Sequence, residues 1–167
     1  MSPDAHDRLA RHYAGAGDGA RAQQHALEAS GQARAAYAFG RAAEMLELAA
    51  SVAEASERPA LVAAVAECLT LGGLYESAAA RFLEASELAD EDQRNEWRRR
   101  AAEALLFAGR LDQGLDLLER IADDVGRDHP GHAGGRALSA REARAEAVAP
   151  RPRLDDPPHG SRARETA

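Results

Sequence analysis

The chain has 167 residues and a formal net charge of −7, and all 21 of its basic side chains are arginine. The absence of lysine excludes a P-loop nucleotide site, the phosphate-binding lysine of a protein kinase and Schiff-base chemistry. Cys68 is the single cysteine, which excludes an internal disulfide.

The charge is unevenly distributed along the chain. Residues 1–126 carry 13 arginines and 22 acidic residues, a formal charge of −9, whereas residues 127–167 carry 8 arginines and 6 acidic residues, or +2. An acidic body does not suit the phosphate backbone of a nucleic acid. We therefore expect no nucleic-acid partner, and an RNA-binding helical repeat, which needs a basic face, is only a third interpretation.

No segment resembles a targeting or membrane-spanning sequence. The first residues lack the apolar run of a signal peptide. Residues 59–75, the most apolar stretch, contain Glu67 and are too short to span a bilayer. We expect a cytoplasmic protein without a membrane partner.

Helix signals follow one another along the chain. Ser2-Pro3-Asp4 supplies a cap, a proline at the first helical position and an acid at the positive end of the helix dipole. No stretch alternates with a period of two, so the body is predicted to be all-α. The predicted helices run from Ser2-Pro3-Asp4 to Gly15, over 19–37 and 40–54, from Pro59 to Gly72-Gly73, over 75–88, from the Asp90 cap to Gly109, and over 111–125 with Gly126 as C-cap.

A repeat of 36 residues runs through this helical body. Each unit carries a triplet with i, i+4, i+7 spacing, which places three apolar or small residues on one helical stripe. Small residues on such a stripe allow a neighbouring helix to approach closely. A period near 34 built from helix pairs is typical of tetratricopeptide (TPR) repeats. The triplets are Ala42-Leu46-Ala49, Ala78-Phe82-Ala85 and Gly114-Leu118-Ile121.

The second and third units resemble TPR repeats at several positions. Gly73, Ala78, Phe82 and Ala85 match the family's loop glycine, small residue, aromatic and second small residue, and the third unit follows in register from Gly109. The units depart from the family at its early tryptophan, its mid-helix glycine and its terminal proline. The resemblance implies an all-α, TPR-like α-solenoid of about three antiparallel helix pairs with a right-handed twist, preceded by one extra helix.

A longer resemblance covers residues 8–126. The stretches LARHYAGAGDGARA, AYAFGRAAEMLELAA and RRRAAEALLFAGRLDQGLDLLERI resemble the helical repeat region of large bacterial signalling proteins. In those proteins a serine/threonine kinase domain and an AAA-type regulatory ATPase precede the repeats. Because this chain has neither a kinase nor an ATPase motif, no catalytic residue carries over. The resemblance implies a sensor or scaffold part.

Residues 127–167 differ from the body in composition. Five of the seven prolines lie there and no aromatic residue does. The segment cannot bury enough apolar surface to offset its ordering entropy, so we expect a disordered tail. Two origins stay open, a linker or a frame-shifted remnant of a longer repeat array. His129 and His132 would need further ligands to bind a metal, and we expect no metal or other cofactor.

The resemblance also indicates a binding surface, because TPR proteins usually bind extended peptides on a concave face made by the first helix of each pair. An acidic centre with apolar neighbours on this face would suit a basic or amphipathic peptide. The alternative is that these are ordinary solvated or packed positions. Glu67 and Glu103 stand where some TPR domains bind a C-terminal carboxylate, so that ligand is not expected. The predicted contact residues are Leu27, Arg34, Glu67, Leu71, Arg99, Glu103 and Phe107.

Three local features are interpreted as structural. Arg98-Arg99-Arg100 point about 100° apart on a helix and suit pairs with Glu96 and Glu103 rather than one basic patch. Cys68 has no basic neighbour in sequence and is expected to be a small core residue. Trp97 is expected to seal the joint between two repeat units.

The last helix has an apolar stripe with nothing amphipathic after it. We expect this stripe to be exposed and to permit self-association. It consists of Leu111, Leu115, Leu118, Ala122 and Val125.

The sequence as a whole predicts a non-enzymatic protein–protein interaction module, without kinase or ATPase activity, within or derived from a kinase/ATPase regulator. The alternative from another class is a small all-α enzyme or ligand-binding bundle with a site between helices.

Overall fold

The computed structural model describes residues 3–128 of the chain. Within this range the protein consists of seven α-helices and contains no strand, which confirms the predicted all-α class. None of these helices is both long and apolar enough to cross a membrane. The helices are α1 Pro3–Gly15, α2 Gly19–Ala35, α3 Phe39–Val52, α4 Arg58–Leu71, α5 Tyr75–Leu88, α6 Glu91–Phe107 and α7 Leu111–Asp128.

Four connections in the described range share one backbone geometry. In each, a residue with positive φ follows the helix, and the next N–H donates to the carbonyl five residues earlier at 2.8–3.0 Å, which satisfies an orphan carbonyl of the ending helix. Three of the positive-φ residues are Gly17, Gly73 and Gly109. The fourth is Tyr37, with φ of 57°. The predicted helix over 19–37 is therefore too long, because Tyr37 leaves the helical conformation and α2 ends at Ala35.

Side-chain caps begin two of the helices. The Asp90 carboxylate accepts the N–H of Gln93 at 3.1 Å, which confirms the predicted cap of α6. Asp18 does the same for Arg21 at the start of α2. Pro59 lies in the first turn of α4, as predicted.

The helices pack chiefly against their neighbours in the chain, and α1 also touches α3. Alanine dominates their contacts, and Cys68 is fully buried among them, as predicted. Small side chains at these points let two helix backbones approach each other closely. The alanines without exposed surface are Ala10, Ala22, Ala26, Ala42, Ala49, Ala66, Ala78, Ala85, Ala101 and Ala102.

The predicted triplets lie on buried stripes in α3 and α5. Leu46 packs with Val65 and Cys68 of α4, and Phe82 packs with Ala66 of α4 and Ala101 of α6. Each of these two triplets is therefore covered partly by the helix that follows it and partly by helices that precede it. In α7 Gly114 is buried, whereas Leu118 and Ile121 are only half-buried.

The end of the last helix differs from the sequence interpretation. Gly126 was expected to end this helix, but α7 continues through it to Asp128. The prediction of a C-cap at Gly126 is therefore wrong, and residues 127–128 of the expected tail are helical. A single glycine costs a helix about 1 kcal/mol and does not by itself end one. The rest of the expected tail, with His129 and His132, lies outside the described residues.

Phe82 is the largest side chain of the central stripe and is 3% exposed. We predict that Phe82→Ala lowers the free energy of unfolding by about 3–5 kcal/mol, because it removes buried apolar surface and leaves a cavity. Urea unfolding followed by circular dichroism measures this loss. A loss below about 1 kcal/mol would contradict the central position of Phe82 in the packing.

Gly114 lies where α7 approaches α6 closely. A Cβ at this position would stand 2.8 Å from Leu106 Cδ2 and 3.1 Å from the Ala102 carbonyl oxygen. We predict that Gly114→Ala destabilises the fold by about 1–3 kcal/mol, the usual cost of overpacking. Gly31→Ala is the matched control, because nothing lies within 4 Å of its added Cβ. The control should instead stabilise α2 by up to about 1 kcal/mol, and equal effects would refute the close approach.

Candidate functional site

A cleft of about 400 Å³ lies between α4 and α6. Five of the seven residues predicted to contact a partner line it. They come from two helices that are not consecutive in the chain. The predicted lining residues are Glu67, Leu71, Arg99, Glu103 and Phe107, and the others are Thr70, Phe82, Arg100 and Ala104.

Helical spacing explains why these residues share one cleft. On α4, Glu67, Thr70 and Leu71 stand at i, i+3 and i+4, so they lie on one face. On α6, residues 99, 103 and 107 repeat at intervals of four and form the facing row. Thr70 Oγ1 donates to the Ala66 carbonyl oxygen at 2.9 Å, so its hydroxyl is already satisfied within α4.

The apolar part of the cleft lies at the ends of the two helices. Leu71 at the end of α4 is 56% exposed, and Phe107 at the end of α6 is 72% exposed. The Tyr75 ring stacks on Phe107, with ring centroids 5.5 Å apart and planes inclined by 29°. This contact gives the Phe107 ring a fixed support while most of its surface stays in water.

Arg100 holds the polar part of the cleft together. Its Nη1 donates to Glu67 Oε1 at 2.6 Å across the two helices, and its Nε donates to Glu96 Oε1 at 3.0 Å. Its guanidinium also lies 6.0 Å from the centroid of the Phe82 ring, within cation–π range. The sequence interpretation did not assign Arg100 to the site, because Glu67 stands 33 residues earlier and no local spacing links them.

Arg99 forms the second half of this network. It binds Glu96 through two hydrogen bonds of 2.9 and 3.0 Å and also binds Glu103. The hydrogen bonds from Arg99 and Arg100 lower the pKa of Glu96, and the same bonds raise the pKa of both arginines. The glutamates that were expected to form an acidic centre are therefore already paired. These shifts favour the charged forms of Glu96, Arg99 and Arg100.

The two remaining predicted residues lie elsewhere. Leu27 and Arg34 are exposed on α2 and are not among the residues that line the cleft. Arg34 does act on Cys68 of α4: burial raises the pKa of the Cys68 thiol, and the charge of Arg34 opposes that rise. This basic neighbour of Cys68 comes from another helix, so its sequence surroundings could not reveal it.

The interpretations of the arginine run and of Trp97 agree with the structure. Arg98 turns away from its two neighbours and donates to Asp124 of α7 at 3.2 Å, so the three arginines do not form one patch. Trp97 is partly buried against core residues of α4 and α5, at the joint between two helix pairs. In the part of the chain that the structure describes, no group of three or more His, Cys, Asp or Glu side chains is placed to hold a metal ion.

The lowered pKa of Glu96 predicts a dependence of stability on pH. A carboxyl whose pKa falls on folding stabilises the protein above its ordinary value of 4.5, and this contribution is lost as pH falls through the lowered pKa. Glu96→Gln should therefore reduce the free energy of unfolding at neutral pH by no more than about 1 kcal/mol, because solvent screens the pair. The deficit should disappear in acid.

Urea unfolding of both proteins across this pH range measures the effect. Glu87→Gln is the control, since Glu87 is exposed on α5 outside the network. A Glu96→Gln deficit that is the same at all pH values would show that the ion pairs do not stabilise the fold.

Comparison with known proteins gives no match: no family model, curated protein or solved structure matches this chain.

Proposed function

We propose that this chain is a non-catalytic protein-interaction module built from TPR-like antiparallel helix pairs, and that the cleft between α4 and α6 binds a peptide segment of a partner protein. The 36-residue register, the consecutive packing of the helices and the shared loop geometry support such an arrangement. The resemblance to repeat regions of bacterial kinase/ATPase regulators supports a scaffold role in a cytoplasmic signalling protein.

The observation that carries this proposal is the exposure of Leu71 and Phe107 in one cleft. Removing apolar surface from water is favourable by about 25 cal/mol per Å². Apolar surface that is concentrated in a groove and bordered by charged residues is typical of a protein-binding site. The apolar side chains of a peptide would cover it on binding.

The charges of the cleft define the ligand further. Because Arg99 and Arg100 already neutralise much of the charge on Glu67, Glu96 and Glu103, a basic side chain gains little by entering between them. Apolar anchors of an amphipathic peptide suit the Leu71 and Phe107 end. Basic residues on the peptide's flanks would still be attracted by the −9 charge of residues 1–126.

A small-molecule site is the second candidate, because a cleft of about 400 Å³ falls within the size range of ligand pockets. The cleft's chemistry favours a peptide over a catalytic site. The described residues that line it include neither histidine nor cysteine, and its arginines and glutamates form ion pairs with each other. No nucleophile and base are placed together among them.

Peptide selection from a random displayed library on the full chain tests the proposal. We predict that the selected peptides share apolar anchors, and that Phe107→Ser weakens their binding at least about tenfold, or by about 1.4 kcal/mol. Fluorescence anisotropy of one labelled peptide measures the change. Leu88→Ser is the matched control, because Leu88 is a similarly exposed apolar residue outside the cleft lining, and it should leave binding unchanged.

Two results would count against the proposal. Peptides that bind the wild type and Phe107→Ser equally would place the binding surface elsewhere. A small metabolite that raises the melting temperature of the wild type but not of Phe107→Ser, with no peptide selected, would favour the small-molecule alternative.

A further inference from the structure

The outer side of α7 differs from the corresponding sides of α3 and α5. The positions 36 and 72 residues before Leu115, Leu118 and Ala122 are all buried in α5 and α3, where α6 and α4 respectively cover part of them. Within the described residues, no helix follows α7 to cover the corresponding positions in the same way. Leu111 is 56% and Leu115 39% exposed, Leu118 is half-buried and Ala122 is exposed. We call Leu111, Leu115, Leu118 and Ala122 the α7 outer face.

Acidic residues form a second stripe beside this face. Residues 112, 116, 119 and 123 repeat at intervals of four, three and four, so their side chains follow one line along the helix. Residues 111–124 contain five acids against the single Arg120. We call Asp112, Asp116, Glu119 and Asp123 the acidic stripe.

Ion pairs elsewhere in the chain show what such acids bind. Three acids, on α1, α3 and α5, each pair with an arginine 34 residues later, which lies on or directly before the second helix further along the chain. The pairs are Asp7–Arg41 at 3.1 Å, Glu47–Arg81 at 2.7 Å and Glu76–Arg110 at 2.6 Å.

Two members of the acidic stripe stand in the register of these acids. Asp112 lies 36 residues after Glu76, and Glu119 lies 72 residues after Glu47, one and two repeats along. Asp112, Glu119 and Asp123 also interact within the chain, so an incoming arginine would share or exchange those contacts. The last helix of the described range therefore carries both features by which an earlier helix receives the next unit, an apolar stripe and acids in register.

We propose that the α7 outer face binds an amphipathic helix of a partner protein, with apolar residues on the outer face and arginine or lysine residues along the acidic stripe. This surface is separate from the cleft between α4 and α6, so the inference does not depend on the peptide-binding function. When two helices pack along an apolar face, the residues beside that face on one helix lie against those of the other. Charges at these flanking positions therefore select the partner.

A second copy of the chain suits this surface less well than a basic helix does. In a twofold antiparallel pairing of two α7 helices, each acidic stripe would lie against the other. Like charges at that separation repel and disfavour the pairing. The charge of the surface therefore favours a basic partner over the self-association that the sequence analysis expected.

Two labelled peptides of about 18 residues, or five helical turns, test the proposal on the full chain by fluorescence anisotropy. Both carry leucine and alanine along one helical face; one has arginine and the other glutamate along one flank. The arginine peptide should bind saturably, and Leu115→Glu should weaken it at least about tenfold. Asp116→Arg should weaken the arginine peptide and strengthen the glutamate peptide. Leu88→Glu, at an exposed leucine of α5, should change neither.

The exposed positions of Leu115 and Asp116 allow these variants to fold, and circular dichroism confirms that they do. If the arginine peptide does not bind the wild type saturably, the proposal is overturned. Occupation of the face by residues 129–167 would give the same result and would overturn it equally. Binding that ignores Leu115→Glu and the charge reversal would overturn it as well. A dimer in sedimentation that Leu115→Glu abolishes would assign the face to a second copy instead.

Discussion

The close approach of neighbouring helices is the constraint on which this structure depends. Ten alanines have no exposed surface, and several of them pack against alanines of other helices, as Ala10, Ala26 and Ala49 do. Because alanine keeps the backbones near each other, dispersion contacts along whole helices replace the large side chains that fill most cores. At Gly114 the helices are so close that even an added Cβ would contact Leu106. A core of this kind fixes the register of the helices tightly.

The same constraint decides where the large apolar side chains lie. Little room remains for them between the helices, so several stand at helix ends and on outer faces, as Leu71, Phe107, Leu111 and Leu115 do. These exposed residues gather on two surfaces, the cleft between α4 and α6 and the α7 outer face. The packing that stabilises the body therefore also produces the surfaces that we propose bind partners.

Charged side chains add a second set of contacts between alternate helices. Glu47–Arg81 joins α3 to α5, and Glu67–Arg100 joins α4 to α6. Exposed pairs of this kind each contribute less than about 1 kcal/mol. Their effect is mainly on geometry, because each fixes how one helix pair lies on the one before it.

The sequence by itself determined the seven helices, the shared triplet and the Asp90 cap, because these depend on local spacing within a helix. Five residues of the cleft were grouped through the resemblance to TPR repeats, because they come from two separate helices. It could not determine that Tyr37 adopts a left-handed conformation or that α7 continues through Gly126, since single residues only bias a helix end. Only the tertiary structure decided that Arg100 reaches Glu67 and that Leu27 lies outside the cleft lining. Such contacts depend on how separate helices are positioned against each other, and that positioning has no local signal in the sequence.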